Sequence, residues 1–578
     1  MHGCALSCVH RAIAHALHAT LTDRENYFYI NQKTILTSMI KNLIRLGVAG
    51  LALVSLATSC SKEQQFTSEK TDAKRVEVQV LNADLAKVRD YVPLYAVIAH
   101  RGSTFWAPEE TESSWRWARE MGADYLESDV QCTKDGIVLA NHDENLKRTT
   151  NIENIFSENV PASRVDFYMS LGFSRADAEA QYGRDMAAFR PFYALSYYYA
   201  ELLMLDAGKW FNETSIEQAR PNFQATENGS FTGGKIVYSN GQYISALQDQ
   251  IAYAEGKRLI RDAEGRRVLT YKIKDEYQGM TLEQIYNAIK AKGQYNAKYM
   301  DFLEYDFDNA YEADPQDTGN RPGIYVEFKE SWLNPGNMEQ RVYDVLKECD
   351  WNIIEKPATE TAFYKGGKVN VGNTNGKVIL QTFSFDALRR ANDIFKGRIP
   401  MCYLLWISEP AYATDIAIDD PTGYAAFIKW AQDNGAHIIG PAISGAPNNY
   451  PEMNAPWQAY MIRKSGMINH PYSFDSWAQM CKYMGYYNYG LETEFDDLLR
   501  LEIPATAYTT TSYPSSVPVY MDGFFTNRTE MSLKYMIENG FRGNAKLPNP
   551  FHAGQVYDNS QANVTVPDAV ETLKRLGY

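Results

Sequence analysis

Cysteine is scarce in this chain. There are 7 cysteines in 578 residues, and no two form a C-x-x-C pair, so no thiolate zinc site is offered. Basic charge is short as well: 57 Lys and Arg face 71 Asp and Glu, a net charge of −14. A balance this acidic argues against nucleic acid or an anionic membrane surface as partner. The apolar run Leu46–Leu56 is too short to cross a bilayer as a mature helix. A Gly-rich phosphate loop is missing too, which weighs against a doubly wound open sheet. What the chain does have is bulk. Its 45% hydrophobic content and 40 tyrosines suffice for one large domain with insertions or for several smaller ones.

Residues 39–60 read as an export signal. Lys41 and Arg45 supply the positive start, Leu46–Leu56 the apolar stretch, and Ala57-Thr58-Ser59-Cys60 the small-residue site. A cysteine closing such a run resembles the lipobox of bacterial lipoproteins, where the thiol is lipidated and becomes the new N-terminus. Met39 is then the expected start, and residues 1–38 an upstream artefact or a leader. Cleavage before Cys60 removes five Lys/Arg and two Asp/Glu, leaving 52 basic against 69 acidic side chains and a net charge of −17. The expected product is an exported lipoprotein, anchored to the membrane through Cys60, on the periplasmic or cell-surface side of a bacterial envelope. Residues 60–94 form its polar tether. The remaining Cys132, Cys349, Cys402 and Cys481 read as unpaired buried thiols.

From Tyr95 onward, short apolar strands alternate with helical patterns. Strand candidates are 95–99, 124–130, 323–328, 378–383, 401–407, 436–440, 465–469 and 520–526, with Glu112–Met121, Asn337–Cys349, Phe385–Phe395 and Thr422–Asn434 as helices between them. Eight such strands predict an α/β fold, a (β/α)8 TIM barrel over 95–535, with reactive groups at the strand C-terminal ends. From His142 to the third strand at Gly323 the chain far exceeds the dozen or so residues that a crossover needs. The excess is read as insertions after the second strand, about 155–195 and 256–320. The second carries a hairpin signal at Arg261–Arg266 and a helical stretch Thr281–Lys292. Such insertions either shape substrate access or serve as packing and partner surfaces. The tail, 536–578, carries no chemical signal.

The chemistry concentrates between Tyr95 and Thr150. The apolar run Tyr95–Ala99 ends abruptly in His100-Arg101-Gly102, a buried strand stopping at a polar rim. The next strand carries Glu127 and Asp129, which alternation puts on one face with backbone positions roughly 6–7 Å apart. Carboxylates that close repel unless a cation sits between them or one takes up a proton. After a Lys134-Asp135-Gly136 turn comes His142-Asp143. Two histidines, an arginine and paired carboxylates make a constellation suited to phosphate and metal. On the third strand Glu327 and Lys329 share a face by the same rule; alone, such a pair reads as a surface ion pair. His437, inside Ala436–Ile439, reads as a satisfied core residue, whereas His470 stands open between substrate contact and strand-end structure.

His100-Arg101-Gly102, Pro108-Glu109-Glu110-Thr111, Gly122-Ala123-Asp124, Glu127-Ser128-Asp129-Val130, Thr133-Lys134-Asp135-Gly136, His142-Asp143 and Arg148-Thr149-Thr150 resemble, in order and spacing, the glycerophosphodiester phosphodiesterase family. Glu327-Phe328-Lys329 is similar to that family's E-x-K motif, and Glu201–Phe211 and Ile244–Gln248 to its longer, exported branch. Two departures stand out. Glu110 occupies a place where the family usually has Asn, adding negative charge near the site. Asn527 stands where it usually has Asp, a change expected to touch loop packing more than chemistry. The resemblance implies hydrolysis of glycerophosphodiesters to sn-glycerol 3-phosphate and an alcohol. Glu127, Asp129 and Glu327 would hold a divalent cation, Mg²⁺ or Ca²⁺, since three oxygen ligands with open water positions suit a hard ion. Arg101 and Lys329 would meet the phosphate, and His100 and His142 would serve as base and acid, in an order the sequence leaves open. Two other readings compete: a non-catalytic surface lipoprotein binding a phosphorylated ligand, and a phospholipase acting on intact lipid. The second would use Phe189–Tyr199 as an apolar lip, where core packing is the competing use.

Overall fold

Alternation along short strands decides which side chains meet inside this protein. The computed structural model describes residues 76–208, 210–213, 242–293, 299–329, 338–406, 418, 420–448, 450–487, 517–518, 521–543 and 547–578. Eight parallel strands form its centre: β1 (Ala96–Ala99), β2 (Tyr125–Cys132), β3 (Gly323–Phe328), β4 (Val378–Thr382), β5 (Met401–Leu405), β6 (Ile438–Pro441), β7 (Ile468–Asn469) and β8 (Gly523–Thr526). Their spatial order is β7-β6-β5-β4-β3-β2-β1-β8. Backbone bonds then join the two ends. Asp522 N donates to Asn469 O at 2.9 Å, Phe525 N to Pro471 O at 3.1 Å, and Phe474 N to Phe525 O at 2.7 Å. The sheet is therefore a closed (β/α)8 barrel, and the open-sheet alternative falls.

A helix follows each strand: α1 (Glu112–Met121), α2 (Leu247–Ala254), α3 (Met338–Glu348), α4 (Phe385–Phe395), α5 (Pro421–Asp433), α6 (Pro456–Ser465), α7 (Trp477–Met480) and α8 (Thr529–Glu538). Side-chain caps set several of the starts. Ser384 accepts from Ala387 N ahead of α4, and Asp420 accepts from Thr422 N and Gly423 N ahead of α5. Outward residues such as Val97, Leu126, Ile324 and Leu380 pack on these helices. Inward residues, among them Ala96, Ile98, Tyr125, Tyr325, Ile379, Leu404 and Phe525, fill the barrel. With a period of two, the inward row on β2 runs Tyr125, Glu127, Asp129 and on β3 Tyr325, Glu327, then Lys329 just past its end. The floor is apolar and the C-terminal mouth polar.

His437 is a core residue. Its Nδ1 accepts from Met401 N and its Nε2 donates to Gly397 O, each at 3.1 Å. The open question at His470 resolves to structure: it is buried in the barrel, with Tyr325 OH 3.4 Å from its Nδ1. Cys132, Cys402 and Cys481 are buried, and Cys349 is half-buried.

The long detour after β2 builds a side lobe. Its first part leaves beyond a short return strand, Val138–Ala140, and comes back at Ser245, whose carbonyl accepts from Ala140 N at 2.8 Å. Its second part lies between α2 and β3. The two share one core in which Tyr168, Tyr198 and Leu202 of the first meet Leu282, Ile285 and Phe302 of the second. Within the suspected lip, Tyr197, Tyr198 and Tyr199 are fully buried, so that stretch is used for packing. Arg164, also buried, bonds Glu201 at 2.7 Å, and Lys134 of the β2 turn bonds Asp185 at 3.0 Å.

At the other end, residues 76–94 are no loose tether. Val78, Leu81, Val88, Val92 and Leu94 are apolar and buried, and Leu81 N donates to Ser465 O at 2.8 Å. The leader, Cys60 and the tether before Val76 lie outside the described residues, among which no helix is long and apolar enough to cross a membrane. The tail packs on α1: Trp117 Nε1 donates to Ala569 O at 3.0 Å, and Arg116 to Tyr578 OH at 2.6 Å.

Candidate active site

The chain leaves β1 through a turn built for close approach. Arg101, Gly102 and Ser103 all have positive φ, +49°, +84° and +72°. At Gly102 a side chain is excluded twice over, since that backbone is strained for L-residues and a Cβ would collide with Ser114 of α1. The turn folds Arg101 over β2. Its backbone N–H donates to Glu127 Oε2 at 2.6 Å, and its Nε lies 2.8 Å from Asp129 Oδ2.

Strand register supplies the rest. Asp129 of β2 sits directly opposite Glu327 of β3, and carboxylate oxygens of Glu127, Asp129 and Glu327 lie within 4.8 Å of one another, all buried. Gln381 of β4 donates to Glu127 Oε1 at 2.9 Å. Lys329 Nζ is 3.1 Å from Glu327 Oε1 and 3.1 Å from His142 Nε2. His142 reaches this point because β2 turns at Thr133–Gly136 and returns antiparallel, with Asn141 N donating to Asp129 O at 2.9 Å.

All seven residues expected from the sequence thus come together at the barrel mouth. Others join them that the sequence reading gave no role. Asp143 Oδ1 holds His142 Nδ1 at 2.5 Å, and Arg148 ties Asp143 (2.6 Å) to Glu109 (2.6 Å). Arg148 was visible in the Arg148-Thr149-Thr150 motif, but its partners were not. Asn527 corrects an expectation more sharply: its Oδ1 accepts from His100 Nδ1 at 2.7 Å, so the residue assigned to loop packing touches a proposed catalytic histidine.

Charge is unevenly matched here. Burial, together with Asp129, pushes the Glu127 carboxyl well up, and burial pushes Glu327 to about 8 against the pull of Lys329. Burial acts on Asp129 too, but Arg101, His142 and Lys329 outweigh it and hold that carboxyl below its usual range. Burial and the Arg101 guanidinium depress both histidines, His100 to about 3 and His142 to about 4, with Lys329 adding to the effect on His142. Glu110 is buried, its Oε1 accepting from Asp129 N at 2.6 Å and its Oε2 without a hydrogen-bond partner among the described residues. Burial, Asp129 and Glu109 push its carboxyl well up, which mutes the added charge. Three buried carboxylates, two of them reluctant to ionise, suit a hard divalent cation: the donors are all oxygen, and none of the three is thiolate or imidazole.

A family model described as the glycerophosphoryl diester phosphodiesterase family matches residues 100–295. The glycerophosphodiester phosphodiesterase of Bacillus subtilis (strain 168) is 22% identical over 401 residues, 69% of this chain and 84% of that protein. The glycerophosphoinositol inositolphosphodiesterase GDPD2 of Mus musculus is 29% identical over 205 residues, 35% of this chain and 31% of that protein. Among solved structures, a putative glycerophosphoryl diester phosphodiesterase from Agrobacterium tumefaciens str. C58 aligns with a TM-score of 0.38 at 11% identity, covering 78% of this chain and 100% of that one.

Proposed function

The chain belongs to the glycerophosphodiester phosphodiesterase family, and on that premise we propose that it hydrolyses glycerophosphodiesters to sn-glycerol 3-phosphate and an alcohol by histidine acid–base catalysis with a bound divalent cation. One observation carries the reading: the Glu127–Asp129–Glu327 triad and both histidines converge on the same mouth, with Lys329 bridging Glu327 and His142. The triad would hold Mg²⁺ or Ca²⁺, which when bound acts as a Lewis acid toward the phosphoryl oxygens. Arg101 and Lys329 offset charge on those oxygens. A bond from water oxygen to phosphorus forms while the bond from phosphorus to the alcohol oxygen breaks. One histidine takes the proton from the attacking oxygen, and the other gives one to the departing oxygen. The anionic diester, bound beside them, raises both histidine pKa values from their depressed positions. The family's substrates are deacylated phospholipid heads, and the buried aromatic stretch at Tyr197–Tyr199 lends no support to intact lipid as substrate.

We also propose export and anchoring through a lipidated Cys60, on the strength of the sequence signal alone. The deciding experiment assays the chain from Ser61 onward on glycerophosphocholine, with and without chelator. Release of choline that stops on chelation is expected. Binding of the diester without cleavage would replace the hydrolase reading with that of a binding protein.

A further inference from the structure

A histidine works as an acid or base through one ring nitrogen, and the other nitrogen's partner decides which one is available. At His142 that partner is a carboxylate, Asp143. At His100 it is an amide. Asn527 follows β8, and its Oδ1 lies 2.7 Å from His100 Nδ1. An amide can present either oxygen or nitrogen, so something must fix its orientation. Asp475, at the start of the segment leading into α7, does so. Its Oδ2 accepts from Asn527 Nδ2 at 3.1 Å and its Oδ1 from Asn527 N at 2.8 Å. Asp475 itself is held by Asn448 Nδ2 at 2.9 Å and Ser473 Oγ at 3.0 Å. Ringed by donors, this carboxylate accepts only, so the amide nitrogen faces it and the amide oxygen faces His100. Thr104 Oγ1 adds a donor to the same oxygen at 3.1 Å. The ring nitrogen facing that oxygen must therefore carry its proton.

We propose that Asn527, oriented by Asp475, is a positioning residue that holds His100 as its Nδ1–H tautomer and leaves Nε2 for proton transfer. The inference rests on the hydrolase reading above for its catalytic consequence, while the tautomer itself does not. Asn527 and Asp475 are both buried and come from segments far from His100 in sequence, so the pair reaches the ring only through the closed barrel. An aspartate at 527 would be isosteric: sharing a proton with Asp475, it could still turn an oxygen to His100.

The test uses the full chain with ¹⁵N-labelled histidine and measures turnover of glycerophosphocholine alongside the ring ¹⁵N spectrum of His100. The parent should show the Nδ1–H pattern. Asn527→Leu should lose that pattern and at least about tenfold in kcat with KM within about twofold, the lower part of what acid–base groups contribute. Asn527→Asp should restore most of both. If Asn527→Leu does not fold, Asp475→Asn takes its place, since it frees the amide to flip and should populate both tautomers. An unchanged His100 spectrum in the folded variants, or parental kcat in Asn527→Leu, overturns the proposal. A parent that folds but does not turn over refutes the hydrolase reading instead, and the spectrum still decides the positioning.

Discussion

Glu327→Gln separates a cation site from a mere cluster of acids, because its effect on stability should differ with and without metal. Consider the protein in chelator at pH 9, above the value of about 8 to which burial pushes Glu327. At 4.8 Å, the outer limit of the triad, each carboxylate pair repels by about 3.5 kcal/mol at an effective dielectric of about 20. Lys329, 3.1 Å away, returns about 5 kcal/mol of attraction by the same relation. Removing the charge loses that attraction and relieves the repulsion from Asp129, and a second from Glu127 only to the extent that this carboxyl, itself pushed well up, is ionised. Without metal the variant should therefore stay within about 2 kcal/mol of the parent. With cation at about 100 times its Kd, the parent gains about 2.7 kcal/mol by mass action. Loss of a direct ligand should weaken binding at least as much as loss of an outer-shell partner, about 10–100-fold. At the 100-fold end the variant's gain shrinks to about 0.4 kcal/mol. Urea unfolding with chelator and with Mg²⁺ or Ca²⁺, beside titration calorimetry, measures both quantities. A variant that gains as much stability from the cation as the parent does refutes the assignment of Glu327 as third ligand.

His100→Ala and His142→Ala should each lose about two orders of magnitude or more in kcat, with little change in binding of a non-hydrolysable diester by calorimetry. The double variant should lose less than the product of the single losses. Four histidines should resist protonation in the fold: His100, His437 and His470 are held near 3 and His142 near 4, against about 6.5 when unfolded. Their contribution is complete above pH 6.5 and is lost as pH falls toward those folded values, because the unfolded chain binds more protons in that window. The raised Glu110, Glu127 and Glu327 carboxyls pull stability the other way over the same window. The check is therefore the histidine NMR of the folded protein in chelator, where signals from these four rings titrating near about 6.5 would contradict it. Cys60→Ala should abolish acylation and release the protein from membranes, checked by mass spectrometry and fractionation; unchanged retention rules out the lipid anchor.

The barrel was legible because each strand is an apolar run flanked by breakers. Even β7, only Ile468–Asn469 as a ladder, lay inside its expected span. The Glu127–Asp129 pair was legible for the same reason, since alternation needs nothing beyond the strand itself; Glu327 joined it only through the family resemblance. What escaped were contacts between distant segments. His100 and Asn527 are separated by 427 positions, and an Asp-to-Asn change that looks harmless alone acquires meaning only when β8 closes onto β1. The lobe hid its logic in the same way. Its two parts sit on opposite sides of α2 in the chain, yet they build one core, and no local pattern announces that Leu282 will lie near Tyr168. The tether's end was misjudged because isolated Val and Leu in a polar stretch look solvated until a surface exists to receive them.

The point where the lobe joins the barrel has a bearing on which length changes the chain can absorb. Ala140 and Ser245 are bonded neighbours, so the hundred or so residues between them begin and end at one place, and closing a longer or shorter loop there changes the entropy only logarithmically. The hairpin just before it has no such freedom. Val130 faces Ala140, Gln131 faces Leu139 and Cys132 faces Val138, and one residue added or lost at its turn would turn the return strand over and carry His142 to the wrong side. Homologous chains should therefore vary widely in length between Thr150 and Ser245 and scarcely at all between Asp129 and Arg148. A domain inserted by an engineer would find a host at the first place and ruin the second.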